Sequence, residues 1–330
     1  MKRIPGAGMI VAIAAMLTMG GCGSSGSGTG PTGTATVSKG VVTGFGSVFV
    51  NGVEYKTAGA KVYKPDTSGK TPDTMSASES DVQSRLKLGM VVTVKGSSDG
   101  TSGQASEIEY KDSLEGKVTA VDNVAGTLTV LGVTVSTDAN TKFNNAANLA
   151  AIVPNTSWVE VSGTPDSTGV LKASFIELKS SAGSEQEIKG FIVAINSVAG
   201  TFDLGLIAGV KAATYTGTLP AGITVGSFVE VKFDANGLVT KVDIEDDLVK
   251  ADDSTSRLEA EGYITVLAGN DVTISVNGKP QAVKLTDTTI FTGGIKGDLT
   301  VGRKIEAEGA VSGGVITATK VKIYPVATKS

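Results

Sequence analysis

The sequence predicts an all-β protein that consists of tandem small OB-like or Greek-key β-barrels. Its composition is the first observation behind this prediction: 43 Gly residues, 5% aromatic and 19% charged residues, with Val, Thr, Gly and Ala dominating the body of the chain. Such a composition is typical of short strands joined by tight turns. The second observation is a set of motifs that returns four times in the same order, which indicates four similar units.

A charged residue followed by Gly opens each of the four units. These openings are Lys39-Gly40, Glu115-Gly116, Lys189-Gly190 and Glu261-Gly262. Each opening leads into a turn and an alternating strand, and the spacing between openings is close to the length of one small barrel. Asn51-Gly52 and Asn277-Gly278 are two-residue hairpin signals flanked by β-branched residues.

A second marker, an apolar residue followed by Gly and an alternating strand, occurs at 88–94, 225–231 and 301–307. The second unit keeps the strand but has Thr156 where the others have Gly. Each unit then ends with another alternating strand. We expect each unit to hold five or six short strands, a number that can close into a barrel and remove exposed strand edges.

Two stretches, 80–86 and 146–151, have a helical pattern and precede the second marker in their units. We expect each to form a short helix across one end of its barrel. The first unit is longer here and has an inserted loop from Lys64 to Ser78. The predicted units span 39–113, 114–181, 187–247 and 257–324.

The first 21 residues have the pattern of a secretory signal peptide. Lys2 and Arg3 precede an apolar stretch at 9–17, which is shorter than the ~20 residues that span a bilayer. Small residues then lead into Cys22, an arrangement that resembles the bacterial lipobox, although Leu17 lies one position further from the Cys than usual. The resemblance implies that Cys22 carries a lipid and becomes the first mature residue. An ordinary signal peptide with an incidental Cys is the alternative.

Residues 22–38 form a Gly/Ser-rich stretch that we expect to act as a flexible tether between the lipid and the first barrel. No Asp follows Cys22, whereas Asp at that position retains many lipoproteins at the inner membrane. By this resemblance we expect an exported protein anchored at the bacterial outer membrane. The sequence leaves open whether the protein faces the periplasm or the cell surface.

The residue inventory excludes several kinds of chemistry. The chain has no His and one Cys, so Ser-His and Cys-His catalysis are excluded and an intramolecular disulfide is impossible. A net charge of -4, without a basic face, argues against nucleic acid as a partner. The Gly-rich piece Thr292-Gly293-Gly294 lacks the Lys of a phosphate-binding loop, and no motif indicates a cofactor.

Several acidic side chains are candidates for catalysis or for metal binding. Glu107/Glu109 and Glu259/Glu261 could serve glycoside hydrolysis, but their period-2 spacing predicts solvated strand faces. The acidic run 243–247 with Asp252 and Asp253 could hold Ca²⁺, but it lacks the residue order of a dedicated loop and reads better as a solvated linker. A Ser-Lys or Thr-based site remains formally possible. We therefore predict no catalytic residue, no metal site and no enzyme activity.

Three aromatic residues of the first unit, Phe45, Phe49 and Tyr55, could form a stacking surface like those with which OB barrels bind sugars. We expect Phe49 and Tyr55 to fill the barrel. Phe45, which lies between two glycines, is the candidate binding residue.

Residues 44–53, with the sequence Gly-Phe-Gly-Ser-Val-Phe-Val-Asn-Gly-Val, and the second marker at 88–94 carry a family resemblance. The chain resembles bacterial envelope lipoproteins built from tandem small β-barrel domains of unknown function. The resemblance covers about 39–324 and is looser in the third unit, where 208–217 departs from the pattern. It implies a barrel fold and an envelope location, but no activity.

Together these observations predict a non-enzymatic, membrane-anchored envelope lipoprotein. Its tandem domains would act as binding or spacer modules that engage other envelope or surface proteins. The alternative is a carbohydrate- or polymer-binding protein that uses an OB-like barrel face. Exposed aromatic residues at matching positions of several units would favour this alternative.

Overall fold

The computed structural model describes residues 33–64, 78–180, 186–247, 250–252 and 255–326. The predicted signal peptide, Cys22, most of the predicted tether and most of the predicted inserted loop lie outside these residues. The described part of the chain is nearly all β, with 23 strands and one α-helix.

The first two predicted units correspond to twelve strands and the α-helix. The first contains β1 (Thr34–Phe45), β2 (Val48–Val50), β3 (Val53–Lys56), β4 (Lys61–Tyr63), α1 (Glu79–Arg85), β5 (Val91–Ser98) and β6 (Ser102–Tyr110). The second contains β7 (Leu114–Asp122), β8 (Thr127–Val130), β9 (Val133–Ser136), β10 (Lys142–Asn144), β11 (Trp158–Pro165) and β12 (Leu171–Lys179).

The third and fourth units contain the remaining eleven strands. The third has β13 (Gln186–Asn196), β14 (Thr201–Gly205), β15 (Ala213–Thr216), β16 (Phe228–Phe233) and β17 (Val239–Ile244). The fourth has β18 (Arg257–Ala268), β19 (Asp271–Val276), β20 (Lys279–Lys284), β21 (Ile290–Thr292), β22 (Lys304–Ser312) and β23 (Val315–Ile323).

Strand pairing runs in a closed circuit in the first, second and fourth units. In the first unit the circuit is β1–β2–β3–β6–β5 and back to β1, with a parallel contact between β3 and β6. The second unit repeats it as β7–β8–β9–β12–β11, and the fourth as β18–β19–β20–β23–β22. The predicted all-β class with tandem small closed barrels is therefore confirmed.

The third unit differs because its described strands do not close. β13 pairs with β14 and β16, β14 pairs with β15, and β16 pairs with β17, but β15 and β17 are not paired with each other. The chain directly after β15 still approaches β17 closely, because a Cβ on Gly217 would lie 3.0 Å from Val239 Cβ. The third unit is thus an open barrel rather than the closed one that the repeat predicts.

A glycine allows the last two strands of each closed unit to approach at a β-bulge. The register shifts at Gly96, Gly163 and Gly309. A Cβ on these glycines would lie 1.9 to 2.3 Å from a backbone carbonyl oxygen of the neighbouring strand, which is far inside van der Waals contact. The same position in the third unit is Phe233, where the register also shifts.

The predicted turns and the first predicted helix are confirmed. Asn51 and Gly52 have φ of 54° and 81°, and Asn277 and Gly278 have φ of 47° and 82°, as a two-residue hairpin turn requires. The α-helix begins after Ser78, whose side chain accepts a hydrogen bond from the Asp81 amide. The second predicted helix is only a 3₁₀ turn over Leu149–Ala151, since Asn148 before it makes no side-chain capping bond.

Two seams of strand pairing join the units. β1 pairs with β18 in parallel, which connects the first and fourth units, and β7 pairs with β13, which connects the second and third. Side chains also cross between cores: Val37 of β1 packs in the core of the fourth unit, and Phe175 of β12 packs in the core of the first. The described units belong to one compact body.

The parallel seam also corrects the predicted tether. β1 begins at Thr34, five residues before the predicted start of the first unit. Its first residues pair with β5 on one side and, from Thr36, with β18 on the other. Residues 34–38 are therefore part of the folded body, because a strand from a distant part of the sequence gives them a partner.

Candidate functional site

A small cavity lies where the four units meet. Its volume is about 30 Å³, which accommodates about one water molecule, whereas small-molecule pockets measure roughly 300 to 1,000 Å³. Four lysines line it, one each from the first, third and fourth units and one from the link between the first two units: Lys39, Lys111, Lys189 and Lys279. The cavity is therefore a polar junction rather than a ligand pocket.

Asp247 forms ion pairs with three of these lysines. Its carboxylate lies 3.1 Å from Lys279 Nζ, 3.4 Å from Lys39 Nζ and 3.6 Å from Lys111 Nζ. Burial alone would raise the pKa of Asp247, but the three ammonium groups outweigh this effect and hold the pKa at about 2. Asp247 lies in the acidic run that was predicted to be a solvated linker, so that prediction is wrong for this residue.

Lys189 is the most buried of the four lysines of the junction. Its ammonium lies 2.7 Å from Glu187, 2.9 Å from Asp112 and 3.3 Å from Glu230. Burial disfavours the charged ammonium, but the three carboxylates raise the pKa of Lys189 well above its usual value. One cation thus joins the link between the first two units to two strands of the third.

Asp112 shares this lysine with two other carboxylates. Burial raises the pKa of Asp112 more than Lys189 lowers it, and the carboxylates of Glu187 and Glu160 raise it further. Its Oδ2 atom is buried and accepts no hydrogen bond within the described part of the chain. Asp112 and Lys189 could not be predicted as a pair from the sequence, because they lie 77 positions apart and no local pattern connects them.

A row of polar residues crosses the same three strands in every unit, one residue on the opening strand, one on the second-marker strand and one on the last strand. The rows are Lys39, Thr93 and Glu109; Glu115, Glu160 and Glu177; Lys189, Glu230 and Asp243; and Glu261, Glu306 and Lys322. Only in the second and fourth units are the residues on both the opening strand and the second-marker strand carboxylates, Glu115 with Glu160 and Glu261 with Glu306.

The carboxylate pair of the second unit is held by a lysine. Lys179 Nζ lies 2.8 Å from Glu160 and 3.4 Å from Glu115, and the Tyr110 hydroxyl donates a hydrogen bond to Glu160. Burial raises the pKa of Glu115 to about 7, although Lys179 partly offsets this shift. Glu115 thus has the raised pKa that a catalytic acid requires, but the oxygens of the pair are engaged with groups of the same chain.

Tyr324 holds the equivalent pair of the fourth unit. Its hydroxyl lies 2.8 Å from Glu261 Oε2 and 3.0 Å from Glu306 Oε2, and Lys304 Nζ lies 2.6 Å from Glu261 Oε1. Burial raises the pKa of both Glu306 and Tyr324, and the two carboxylates raise that of Tyr324 further. The arrangement keeps the tyrosine protonated as a hydrogen-bond donor.

Glu259 lies in the seam between the first and fourth units. It is 1% exposed and accepts a hydrogen bond from Ser38, whose hydroxyl also lies 2.9 Å from the Tyr55 hydroxyl. Burial raises the pKa of Glu259 to about 7, against the opposing effects of Ser38 and Arg257. Arg257 is shared, because it also pairs with Glu308.

The predicted solvation of the paired acids is therefore wrong for three of the four residues. Glu109, Glu259 and Glu261 are 3%, 1% and 7% exposed, and only Glu107 stays half-buried on its strand. Strand periodicity correctly places these side chains away from the interior of their own barrel. Side chains of the same unit and of neighbouring units cover that second face, and periodicity carries no information about them.

Phe45 is half-buried and packs against the core of the first unit, and Phe49 is half-buried as well, whereas Tyr55 is fully buried as predicted. The positions that match Phe45 in the other units are Val121, Ile195 and Leu267. The repeated aromatic surface that would favour a carbohydrate-binding role is thus absent at these positions of the described chain.

A shallow groove on the first unit is the larger concavity. Its volume is about 320 Å³, and small polar residues of β1, β5 and β6 with Thr255 line it. Its one charged lining residue, Lys95, already pairs with Asp252. The groove has no aromatic or apolar wall larger than an alanine, so it offers a ligand little area for burial.

Within the described ranges, no group of three or more acidic, Cys or His residues is placed to hold a metal ion. In the same residues, no helix is long and apolar enough to span a bilayer. The predicted lipidation site, Cys22, lies outside them.

Comparison with known families identifies two of the units. A family model described as a domain of unknown function, DUF5666, matches residues 115–177 and 261–322. No curated protein matches the chain. The two segments begin in the opening strand and end in the last strand of the second and fourth units, so each covers one closed circuit. The chain thus contains two tandem segments that are similar to DUF5666.

Proposed function

We propose that this chain is a non-enzymatic envelope lipoprotein whose four packed units form one rigid body that docks or spaces other envelope components. Strand pairing between units is the observation that carries the proposal. The β1–β18 and β7–β13 seams and the junction of buried ion pairs support fixed relative positions for all four surfaces. A rigid body suits a spacer or docking platform better than independently moving domains, which act through effective concentration.

The buried acids support a structural rather than a catalytic role. Glu115, Glu160, Glu261 and Glu306 are the carboxylates with the placement expected for acid–base chemistry. Each pair is engaged by Lys179 or by Tyr324 and lies in a packed seam or strand row. None of the four acids lines either cavity described above, so these contacts support a role in the packing of their own units.

The lipid anchor is tested by a Cys22→Ala substitution in the full-length gene. We expect the original chain to incorporate labelled fatty acid and to sediment with membranes, and the variant to do neither, because Cys22 is the only thiol in the chain. A Ser24→Ala variant is the matched control and should behave like the original. Membrane association that survives Cys22→Ala would contradict the anchor.

The docking role is tested by cross-linking on intact cells that carry the tagged chain, followed by mass spectrometry of the captured material. One or two dominant envelope proteins are the expected result. Recovery of envelope polysaccharide without a protein partner would instead support the carbohydrate-binding alternative. In that case Phe45→Ala is the first variant to examine.

A further inference from the structure

We propose that the outer edge of β17 in the third unit binds an extended peptide segment of a partner protein, which adds to the sheet as a short parallel strand with an apolar residue at its centre. The inference deepens the proposed docking function and rests on it. It depends on a comparison of the same edge in all four units.

The three closed units fill this edge with a strand of their own. β4 pairs in parallel with β6, β10 with β12, and β21 with β23, and each of these short strands has three residues. In each of the three closed units, a short parallel strand therefore occupies the outer edge of the last strand.

The central residue of each short strand is apolar and faces the barrel. Val62 pairs with Ile108, Phe143 with Ile176 and Phe291 with Val321, and each central residue packs in or against the core of its unit. The equivalent residue of the third unit is the buried Val242 on β17. An apolar residue opposite Val242 would therefore find a matching surface.

The third unit lacks this strand because its connection is short. The segment 217–225 replaces 137–154 of the second unit and 285–301 of the fourth, and it contains no strand. Leu219 and Ile223 of this segment pack against the core, so the connection closes the end of the barrel and cannot also reach the edge. Among the described residues β17 pairs with β16 alone.

Apolar side chains remain uncovered beside this edge. Leu238 is 60% exposed and Ile244 is 58% exposed. In the fourth unit the residue that matches Ile244 is Ile323, which is 3% exposed and lies against Gly293 and Gly294 directly after β21. The missing segment thus accounts for the exposure of Ile244, and a bound strand would cover it.

The occupant is a different protein rather than a second copy. Two copies that pair β17 with β17 about a two-fold axis would run antiparallel, whereas the three filled edges are all parallel. Strand addition to an exposed edge is a common mode of peptide recognition, with backbone hydrogen bonds for affinity and alternate side chains for specificity.

The filled edges also indicate the flanking residues of the peptide. Lys61 stands opposite Glu107, and Asn144 donates a hydrogen bond of 2.6 Å to Glu177. On β17 the flanking residues are Lys241 and Asp243, with side chains 64% and 44% exposed. We therefore expect the peptide to carry an acidic residue opposite Lys241, an apolar residue opposite Val242 and an asparagine opposite Asp243.

The probe is a synthetic peptide with the sequence of residues 140–146 and the change Lys142→Glu, so that it reads Asn-Thr-Glu-Phe-Asn-Asn-Ala. We expect it to bind the full-length chain and to slow hydrogen exchange of the amides at 239–244, without an effect on β6, β12 or β23. The same peptide with Phe143→Asp should bind about tenfold more weakly or not at all. Equal binding of both peptides, or protection elsewhere, would overturn the inference.

Protein variants provide the second arm of the experiment. Ile244→Asp should abolish peptide binding, while Val198→Asp, at a fully exposed position of the same unit, should leave it unchanged. In the cell cross-linking experiment, Ile244→Asp should also remove the captured partner. A partner that is captured equally by both variants would keep the docking function but refute the β17 edge. Concentration-dependent dimers lost in Ile244→Asp would refute the partner peptide in favour of a second copy.

Discussion

The third and fourth units carry the same markers in the same order, but only the fourth closes its sheet. Gly309 allows β22 and β23 to approach at the bulge of the fourth unit, whereas Phe233 occupies that position in the third. The Phe233 ring instead packs 4.9 Å from the Tyr215 ring of β15, a strand that does not pair with β16 or β17. Closure of these barrels therefore depends on a few local features rather than on the overall repeat.

The two units also treat the same acidic position in opposite ways. Glu187 and Glu259 each lie three residues before the opening Gly of their units. Burial would raise the pKa of Glu187, but Lys189 and Lys232 overcome it and lower the pKa. Glu259 is buried with only Ser38 and a shared arginine to offset burial, so its pKa rises. The repeat keeps the position of the charge, and the side chains around it decide whether its ionisation raises or lowers stability.

The largest expected effect comes from filling the bulge of the closed unit. Gly309→Val would place a Cβ 1.9 Å from the Thr317 carbonyl oxygen, and neither backbone can move without breaking the pairing of β22 with β23. We expect a loss of more than about 4 kcal/mol in the free energy of unfolding. Gly297→Ala, where a Cβ would make only an ordinary contact of 3.9 Å with Ile295 Cδ1, is the control for denaturant unfolding. A loss of the same size in both variants would refute a specific role for the bulge.

The second prediction concerns the charge that joins the third unit to its neighbours. Lys189→Met leaves three carboxylates without their shared cation and should lower the free energy of unfolding by about 3 to 5 kcal/mol. Lys241→Met, which removes an exposed ion pair with Asp243, should change it by less than about 1 kcal/mol. Urea unfolding of both variants measures the difference. Equal small losses would show that the junction contributes little.

The third prediction uses the pH dependence of stability to distinguish the effect of Glu259 from that of Glu187. The folded protein holds the Glu259 proton up to a pKa of about 7, against 4.5 for the ordinary side chain. Ionisation therefore reduces stability as pH rises from about 4.5 to 7, by up to about 3 kcal/mol. Glu259→Gln should remove this decline, so its stability relative to the original chain should increase over that interval.

Glu187→Gln is the matched variant on the third unit. The lowered pKa of Glu187 contributes stability that is present above pH 4.5 and is lost as pH falls through the lower folded value. The variant should therefore be less stable than the original chain at neutral pH, and the deficit should shrink in acid. Unfolding midpoints measured from pH 3 to 8 test both signs. A Glu259→Gln deficit that grows toward pH 7 would contradict the assignment.

The smallest expected effect on stability comes from closing the open unit. Replacing 217–225 with 285–301 supplies a short strand for the β17 edge and apolar residues that match Leu219 and Ile223. We expect a change of less than about 1 kcal/mol in unfolding, since the entropy of the longer loop offsets the new pairing. Hydrogen exchange at 239–244 should nevertheless slow, and the probe peptide should no longer bind. A Gly/Ser segment of the same length should neither slow this exchange nor prevent the peptide from binding.

Much of the fold could be predicted from local patterns. The hairpin turn at Asn51-Gly52 and the alternation of Ile108 and Tyr110 lie where expected, because turn conformation and strand period depend on a few adjacent residues. The missing Gly at Thr156 is explained by Asn155, which takes the left-handed conformation instead, with φ of 58°. Asn tolerates that conformation better than other non-glycine residues, so the sequence contained this signal.

The candidate site could be predicted much less well. Lys189 and Asp112, and likewise Ser38 and Glu259, meet only because strands from distant units pair. For Phe45, two flanking glycines indicate an open backbone, and contact with the core of the first unit leaves the ring half-buried. Local patterns identify the face of a strand that packs in its own barrel. The buried ionic contacts lie on the opposite face.

The sequence by itself determined the β class, the number and order of the units and most of their turns, since these follow from residue preference and periodicity over short stretches. Only the tertiary structure decided that the first unit pairs with the fourth, that the third stays open at β17, and that most of the repeated acids are buried. The physical reason is that burial and pKa depend on everything within a few ångströms, and most of those neighbours are far away along the chain.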